Sequence, residues 1–336
     1  MALTLDDVAS LSGVSRATVS RVINGGPVAE RTRRQVLAVL EETGFRPNAA
    51  ARTLASGRSG VVGVVLHVDP HQLFSDRYFS QLLQGITDVL AENGTGMMLW
   101  LGNRSKEETL HRILGMSLLE GVIVTAHNLE DRLVDGLLAS RRPTVLVGHR
   151  SADRTASYVD IDNRAASDIL TAHLVSSGRR RIGHVSGARG TSAAEERITG
   201  YLQALRRAGL AGEDLVVDGD YTEEAGAAGT VQLLERGVDA VFCANDLAAR
   251  GALGVLRERG LRVPEDVALA GFDDLDFAAH LDPPLTTVRQ SIRQQGAEAA
   301  GALLQLVEDS ADRPRRVILP TELVIRQSTV GGVPRD

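Results

Sequence analysis

The stretch TLDDVASLSGVSRATVSRVING, residues 4–25, decides how the first part of this 336-residue chain folds. Thr4 followed by Asp7 fits the reciprocal capping of a helix start, and Gly13 is a natural end for the short helix that follows. Ser15 is a suitable N-cap for a second helix. The spacing therefore predicts two short helices joined by a glycine-containing turn.

The second helix has two distinct faces. At 100° per residue its apolar side chains share one face, and the opposite face carries Arg16, Ala17, Ser20 and Arg21. A helix-turn-helix with such a face can enter the major groove of DNA, whereas the alternative is an ordinary three-helix bundle with solvated arginines. The first 60 residues carry eight arginines against five acidic residues, in a chain of net charge −6. This asymmetry favours a polyanionic partner.

Followed by TRRQVLAVLEETGFRPNAAARTLASGRSGVVGVV at 32–65, the opening stretch resembles the head of the LacI/GalR family of bacterial transcriptional regulators. The resemblance implies a three-helix head with a helix-turn-helix over 1–46 and a hinge helix with a linker over 47–60. It also implies that the hinge helices of two protomers pair in the minor groove, where Leu54 wedges between bases. The positions that it assigns to DNA contact are Thr4, Ser15, Arg16, Ala17, Thr18, Ser20, Arg21, Asn24, Asn48 and Leu54.

From residue 61 the pattern changes to apolar runs separated by helical stretches. Runs such as VVGVVLHV at 61–68 and AVFCAN at 240–245 lack polar alternation, which favours parallel strands buried on both faces. Further strands are predicted at 97–102, 121–125, 144–149, 158–162, 181–187 and 267–272. Because these strands are more than one open sheet usually holds, the sequence predicts a doubly wound α/β body with two lobes and a cleft.

The family resemblance extends to about residue 329 and is most specific at AVFCANDLAARGAL, 240–253, and at GLRVPEDVALAGFDDLDFAAHLDPPLTTVRQ, 260–290. It implies a body similar to the periplasmic binding proteins over 61–330, which binds an effector and dimerises. The lobes that it implies are residues 61–160 with 289–317 and residues 161–288 with 318–329.

Ligands of such lobes bind beyond the carboxyl ends of the strands. The resemblance implies that Arg197, Asn245 and Asp273 hydrogen-bond a small-molecule effector, commonly a sugar, whose adjacent hydroxyls these groups can satisfy together. Asp162 and Asn163 match the family too, but they also fit the N-cap of the next helix. The effector positions that the resemblance assigns are Tyr78, Phe79, His149, Arg197, Tyr221, Asn245 and Asp273. Core packing is the alternative for each aromatic residue.

Two segments near the cleft mouth depart from the family pattern. HVDPHQLFSDRYF at 67–79 is several residues longer than in purine-type members, and His149 stands where an acidic residue is frequent. His67, Asp69 and His71 form only a weak metal constellation, and a polar loop is the better interpretation because a proline interrupts them. We therefore expect no metal.

The sequence also excludes other classes of protein. The motifs HExxH, GxxxxGK[ST] and GxSxG are absent, so we expect neither an enzyme nor a cofactor. One cysteine, no apolar run near the roughly 20 residues that span a bilayer, and no signal peptide predict a cytoplasmic protein. A transport-type sugar receptor is the rival, but such a receptor has no use for residues 1–60.

The sequence as a whole predicts a repressor of transcription that binds a near-palindromic operator. One head reads too few base pairs to be selective in a genome, so two heads related by a two-fold axis are expected. The absence of a leucine heptad near the end favours a homodimer over a larger assembly. A sugar bound between the lobes is expected to change the affinity for operator.

Overall fold

The protein consists of two compact units, Met1–Gly60 and Val61–Asp336. A computed structural model describes residues 3–23, 26–45, 59–101, 105–125, 128–149, 155–210, 213–309 and 314–330. None of the helices in these ranges is both long and apolar enough to cross a membrane.

Three helices form the first unit: α1 (Leu5–Ser12), α2 (Arg16–Ile23) and α3 (Glu30–Thr43). The capping of α1 is reciprocal, because the amide of Asp7 donates to Thr4 Oγ1 at 3.3 Å and the amide of Thr4 donates to Asp7 Oδ2 at 2.7 Å. The hydrogen bond from the Thr4 hydroxyl lowers the pKa of Asp7. The start of α1 is thus fixed by a two-residue signal in the sequence.

A small apolar core joins the three helices. Val8, Val19 and Val36 come from one helix each, and all three are fully buried. Gln35 Nε2 also donates to Ser12 O at 2.9 Å, which fastens α3 to the end of α1. These contacts hold α1 and α2 in the helix-turn-helix arrangement.

The second unit alternates strands and helices. Its strands are β1 (Val61–Leu66), β2 (Gly96–Leu101), β3 (Val122–Thr125), β4 (Thr144–Val147), β5 (Ser157–Ile161), β6 (Ile182–Ala188), β7 (Val216–Gly219), β8 (Ala240–Cys243), β9 (Ala268–Ala270), β10 (Thr287–Gln290), β11 (Arg316–Leu319) and β12 (Thr321–Val324). Its α-helices are α4 (Pro70–Ser75), α5 (Arg77–Glu92), α6 (Lys106–Gly115), α7 (Arg132–Ala139), α8 (Asn163–Ser176), α9 (Ser192–Arg207), α10 (Glu223–Glu235), α11 (Asp246–Glu258) and α12 (Ile292–Asp309).

Two parallel sheets define two lobes. The sheet of lobe 1 has the order β11-β5-β4-β3-β1-β2, and the sheet of lobe 2 has the order β7-β6-β8-β9. Strands β3 and β4 are buried along their whole length, as expected for strands covered by helices on both faces. An antiparallel pair, β10 with β12, lies where the chain passes between the lobes.

Pairs of helices in both lobes approach each other at glycines. Helix α5 packs on α12 through Gly85 and Gly296, α8 meets α9 at Gly200, and α10 meets α11 at Gly226 and Gly251. A Cβ atom on any of these five glycines would lie between 1.9 and 2.1 Å from a backbone oxygen of the facing helix. No larger residue fits at these crossings without separating the helices.

The structure corrects the sequence prediction in three places. The segment expected to be a polar loop contains helix α4, which begins where the Asp69 carboxylate accepts from His71 N at 2.8 Å. Several strands were predicted to end later than they do in the structure. The apolar pattern misleads there because residues that follow the hydrogen-bonded strand, such as Val68, are still buried. Strands β7, β10, β11 and β12 are absent from the prediction, since each has only four residues and one of the four is charged.

Candidate functional site

Helix α2 presents one polar face to solvent. Arg16, Ala17 and Arg21 are exposed, whereas Val19 and Val22 on the opposite side are buried. The two faces therefore lie as the sequence pattern predicts. Two arginines on one exposed face can reach base edges or phosphates of a DNA groove.

The other predicted DNA-contact residues have mixed positions. Thr4 and Ser15 begin helices, and the amide of Thr18 donates to Ser15 Oγ at 3.2 Å. Ser20 is partly exposed on α2. Three predicted residues, together with residues 47–58 of the expected hinge, lie outside the described residues: Asn24, Asn48 and Leu54.

A cavity of about 270 Å³ lies between the two lobes. Side chains that follow the carboxyl ends of strands in both sheets line it, which is the usual place for a ligand in parallel α/β lobes. The cavity brings together six of the seven predicted effector residues: Tyr78, Phe79, Arg197, Tyr221, Asn245 and Asp273. His149 is not among the lining residues.

Arg197 is held rigidly beneath the cavity. Its side chain is 5% exposed, Nε donates to Asn163 Oδ1 at 2.9 Å, and Nη1 donates to the carbonyl of Ala244. The guanidinium also lies 3.6 Å from the centroid of the Phe272 ring. Asn163 is therefore a cavity residue, whereas Asp162 is the N-cap of α8. Held in one plane, the guanidinium is preorganised for hydrogen bonds to a ligand.

A chain of hydrogen bonds reaches the Asp273 carboxylate from lobe 1. Gln295 Nε2 on α12 donates to Gln290 Oε1 at 2.6 Å, and Gln290 Nε2 donates to Asp273 Oδ1 at 2.5 Å. Burial raises the pKa of Asp273 to about 7, although the charge of Arg197 opposes the shift. Burial therefore disfavours the ionised form of this carboxyl group, and hydroxyl donors from a ligand would stabilise that form.

Two cavity residues sit on turns with a left-handed backbone. Among the described residues, the non-glycine positions with positive φ are Tyr221 at 71°, Asp273 at 110° and Asp274 at 56°. The ring of Tyr221 lies over Gly187, where a Cβ atom would be 2.0 Å from the ring, and Asn245 Nδ2 donates to the carbonyl of Tyr221 at 3.0 Å. Such strained conformations persist only where the surroundings enforce them, and they concentrate at functional sites.

Lobe 1 supplies a wall of aromatic rings and carboxylates. Tyr78 and Phe79 pack edge to face with their centroids 5.2 Å apart. Asp76 accepts from the amide of Tyr78 at 2.9 Å, and burial raises the pKa of its carboxyl group. Sequence reasoning missed several polar lining residues, among them Gln72, Asp76, Asp160, Gln290 and Gln295. Of these five, Asp76 carried a signal, that of a helix N-cap.

His149 lies beside the cavity with its ring nitrogens directed to two carboxylates. Nδ1 is 2.7 Å from Asp160 Oδ2, and Nε2 is 3.4 Å from Glu196 Oε1. The hydrogen bond with Asp160 raises the pKa of His149. Its position is therefore adjacent to the ligand space rather than in it.

Two of the three residues considered as a metal constellation have other roles in the structure. His67 Nδ1 lies 3.3 Å from the buried Asp131 carboxylate, which also contacts Lys106 Nζ at 2.7 Å. Asp69 caps α4, and His71 is exposed. In the part of the chain that the structure describes, no three such side chains are grouped as metal ligands.

The cavity combines acceptors, donors and rings in the proportions that suit a hydroxyl-rich ligand. Carboxylates accept, the guanidinium donates, the amides do both, and an aromatic face can stack on a sugar ring. Together, the helix-turn-helix unit and the two-lobed α/β body with this cavity define a ligand-responsive regulator of transcription.

Comparison with known proteins supports the same class. The model of bacterial regulatory proteins of the lacI family matches residues 4–48, and the periplasmic binding protein-like domain matches residues 171–329. The transcriptional regulator CelR of Thermobifida fusca is 39% identical over 332 residues, which are 97% of this chain and 98% of CelR. The chain therefore belongs to the LacI family, whose members are DNA-binding regulators and not enzymes.

Two solved structures extend the comparison. A CelR–cellobiose complex has a TM-score of 0.77 at 36% identity and covers 97% of this chain and 99% of that one. The Lac repressor dimer bound to operator and the anti-inducer ONPF has a TM-score of 0.87 at 28% identity. It covers 98% of this chain and 100% of that one. These likenesses confirm the family and the fold class predicted from the sequence.

Proposed function

We propose that this protein represses transcription by binding a near-palindromic operator as a homodimer, and that an uncharged sugar bound in the cavity alters its affinity for operator. The polar cavity carries this proposal. Arg197, Asn245 and Asp273 converge there, each already oriented by bonds to the protein. A ligand with adjacent hydroxyls can pair with all three groups.

The charges around the cavity favour a neutral sugar over a sugar phosphate. Among the described residues that line the cavity, the buried carboxylates of Asp76, Asp160 and Asp273 face the same space as one guanidinium, that of Arg197. A phosphate group placed there would meet like charges in a poorly solvated site, which costs several kcal/mol. Sugar hydroxyls instead donate to the carboxylates. The complex of the similar CelR with cellobiose makes that disaccharide the first candidate.

An exposed apolar edge in lobe 1 supports dimerisation. Strand β2 ends the six-stranded sheet, and Met97 and Leu99 on it are 37% and 38% exposed. The same lobe also exposes Leu114, Met116 and Leu118. Uncovered edge strands with apolar side chains are an aggregation hazard, so a partner surface is expected. We assign this face to a second copy of the chain.

A thermal-shift screen tests the effector. Cellobiose, glucose and galactose would be compared with their 6-phosphates and with purine bases. At about 100 times its dissociation constant a ligand stabilises by about 2.7 kcal/mol, so a neutral sugar is expected to raise the Tm while the phosphates leave it unchanged. Stabilisation by purines or phosphates alone would refute the neutral-sugar assignment.

Operator binding and assembly are tested separately. An operator selected from random duplexes should be near-palindromic, and the identified sugar should change its affinity in a mobility-shift assay. Light scattering should give the mass of a dimer for the native chain and of a monomer for Leu99→Glu. A native monomer would contradict the dimer assignment without affecting the effector assignment.

A further inference from the structure

One contact between the lobes involves a histidine. His149 follows β4 in lobe 1, Glu196 lies on α9 in lobe 2, and His149 Nε2 is 3.4 Å from Glu196 Oε1. Asp160 holds the opposite side of the ring, because its Oδ2 lies 2.7 Å from Nδ1 and also accepts from the backbone amide of His149 at 3.0 Å. The imidazole is thereby aimed at the other lobe.

The surroundings of this pair restrict its motion and its hydration. Tyr158 stacks on the His149 ring with the centroids 5.0 Å apart and the planes 23° from parallel. The His149 and Glu196 side chains are 21% and 27% exposed. Both residues of the pair adjoin the cavity. Asp160, which contacts His149, and Arg197, which follows Glu196 in the chain, are lining residues.

We propose that His149 and Glu196 form a cross-lobe pair in which the imidazole offsets the cost of bringing the Glu196 carboxylate into the closed cleft, and that His149 acts on effector binding through Glu196 rather than by touching the ligand. The inference rests on the proposed function, because it concerns closure around the same cavity. Residues on different lobes keep a 3.4 Å contact only while the lobes are together. His149 is thus a positioning residue.

The charges that face the pair come from several elements. Asp160 on β5 and Asp162 at the start of α8 are carboxylates, and Arg197 on α9 is a cation. Burial raises the pKa of Glu196 to about 7, and the charge of His149 opposes this shift. The hydrogen bond with Asp160 raises the pKa of His149.

The raised pKa of Glu196 fixes the direction in which this residue makes effector affinity depend on pH. In open solvent a glutamate carboxyl titrates near pH 4.3, so closure makes Glu196 hold a proton up to a higher pH. Through Glu196 closure therefore takes up a proton, and this contribution strengthens effector binding as the pH falls from about 8 to about 6. It is opposed by Asp273, whose ionised form the ligand stabilises. Uptake of one proton limits the gain to about tenfold per pH unit.

Calorimetry on the full-length chain with cellobiose at pH 6, 7 and 8 tests the pair. The side chain introduced in Glu196→Gln is neutral at every pH, so this variant should bind more tightly than wild type at pH 8, and the difference should shrink as the pH falls to 6. In His149→Gln the Glu196 carboxylate loses the imidazole and keeps the neighbouring carboxylates. The affinity of this variant for cellobiose should therefore be weaker than that of wild type at pH 8. The double variant should behave as Glu196→Gln does. Opposite effects from the two single variants would not arise from a general loss of packing.

Matched controls are available on the surface. His111 on α6 and Glu235 on α10 are exposed, and the variants His111→Gln and Glu235→Gln should keep the wild-type dependence of affinity on pH. The pair is also measurable without ligand, by nuclear magnetic resonance titration of the His149 imidazole, whose pKa should fall in Glu196→Gln.

The outcomes separate this inference from the proposed function. An unchanged His149 titration in Glu196→Gln would overturn the cross-lobe pair whether or not cellobiose binds. Cellobiose binding with the same pH profile in wild type and Glu196→Gln would also overturn it while leaving the effector site intact. Failure of every sugar to bind, with a lowered His149 pKa in Glu196→Gln, would count against the effector alone.

Discussion

Three buried carboxyl groups are the most constrained residues of the body. Asp76, Asp246 and Asp273 are at most 5% exposed, and burial raises the pKa of each. Asp246 is satisfied internally, by the hydroxyl of Thr287 at 2.6 Å and the amide of Leu275 at 2.8 Å. Asp76 and Asp273 face the cavity instead, so a ligand can supply the donors that the protein does not.

Substitution of Asp273 tests its role as an acceptor. In Asp273→Asn the side chain can still accept from Gln290 but no longer offers a carboxylate to a sugar hydroxyl. Losing a charge-assisted bond costs about 1–3 kcal/mol, so calorimetry should show sugar affinity weakened by about 5- to 150-fold. The control is Asp282→Asn, which removes a 99% exposed carboxylate 3.5 Å from Arg257. Equal effects of the two variants would remove Asp273 from the site.

His184 makes the stability of lobe 2 sensitive to acid. Its ring is fully buried beside Tyr201 and Phe242, Nδ1 donates to the carbonyl of Phe242 at 3.0 Å, and burial lowers its pKa to about 4. The unfolded chain binds this proton near pH 6.5 and the folded chain does not. Stability should therefore fall as the pH decreases from about 6.5 to about 4.

The size of this effect can be isolated by substitution. His184→Phe should lose less free energy of unfolding between pH 7 and pH 5 than wild type does, by about 1–2 kcal/mol. Urea titrations at the two pH values give this difference. His111→Gln, at an exposed position, should titrate as wild type. If the free energy of unfolding of His184→Phe changed between pH 7 and pH 5 as much as that of wild type does, the core would have to accommodate the charged ring.

At the scale of elements, the glycine crossings set how closely the helices pack. Gly296 on α12 faces the carbonyl of Leu82 on α5, and Gly85 on α5 faces the carbonyl of Arg293 on α12. This reciprocal arrangement brings the two backbones together over the sheet of lobe 1. In lobe 2, α10 and α11 repeat the reciprocal arrangement through Gly226 and Gly251, whereas α8 and α9 meet at Gly200 alone.

Two alanine substitutions on α12 test this packing. Gly296→Ala places a Cβ atom 2.1 Å from a backbone oxygen, whereas Gly301→Ala meets nothing within 4 Å. The first should destabilise the body by about 1–3 kcal/mol, and the second should stabilise it by about 0.5–1 kcal/mol through helix propensity. Chemical denaturation of both variants measures this. Similar stability changes would show that propensity rather than packing dominates at Gly296.

Helix α2 is the other element whose role can be measured. Arg16→Ala and Arg21→Ala should each relax specificity at one symmetric pair of operator positions, because a bidentate arginine contributes about 1–3 kcal/mol of discrimination between bases. Competition binding against single-position operator variants at fixed salt gives this value. Arg34→Ala removes the same charge from the exposed side of α3. Uniform weakening across operators would reassign an arginine to phosphate contact.

The sequence predicted the periodic elements well and the cavity incompletely. Helix α1 was predictable because its capping signal is local, and β1 because its apolar run is long. The positive φ values at Tyr221 and Asp273 were not predictable, since they depend on strands and turns that are distant in the chain. Gln295 is only five residues after Gln290, and it was missed because no local pattern shows that this part of the chain lies beside the cavity.

At the scale of the whole molecule, the cleft is closed by contacts from both lobes. The amide of Leu129 donates to the carbonyl of Gly190 at 2.7 Å, and Arg77 Nη2 lies 3.0 Å from Asp276 Oδ2. A ligand between the lobes adds to these contacts and so favours the closed state. If operator DNA distinguishes closed from open bodies, the two ligands must be coupled.

Reciprocity of that coupling is the central prediction for the regulator. The factor by which sugar changes operator affinity should equal the factor by which operator changes sugar affinity, typically about 5- to 150-fold. Calorimetric titration of sugar into the full-length protein, with and without operator, measures the second factor, and mobility shifts with and without sugar measure the first. Equal sugar affinities in the two titrations would show that the body and the head are energetically independent.

The glycine crossings have a mechanical consequence for this coupling. Helices in backbone contact cannot slide past each other by rotating side chains, so each lobe behaves as a stiff block. Deformation is then confined to the segments that join the blocks, near the ends of β5, β10 and β11. A small rotation at these hinges therefore moves the whole lobe as one body. The displacement of an atom increases with its distance from the hinge and is largest at the far edge of the lobe.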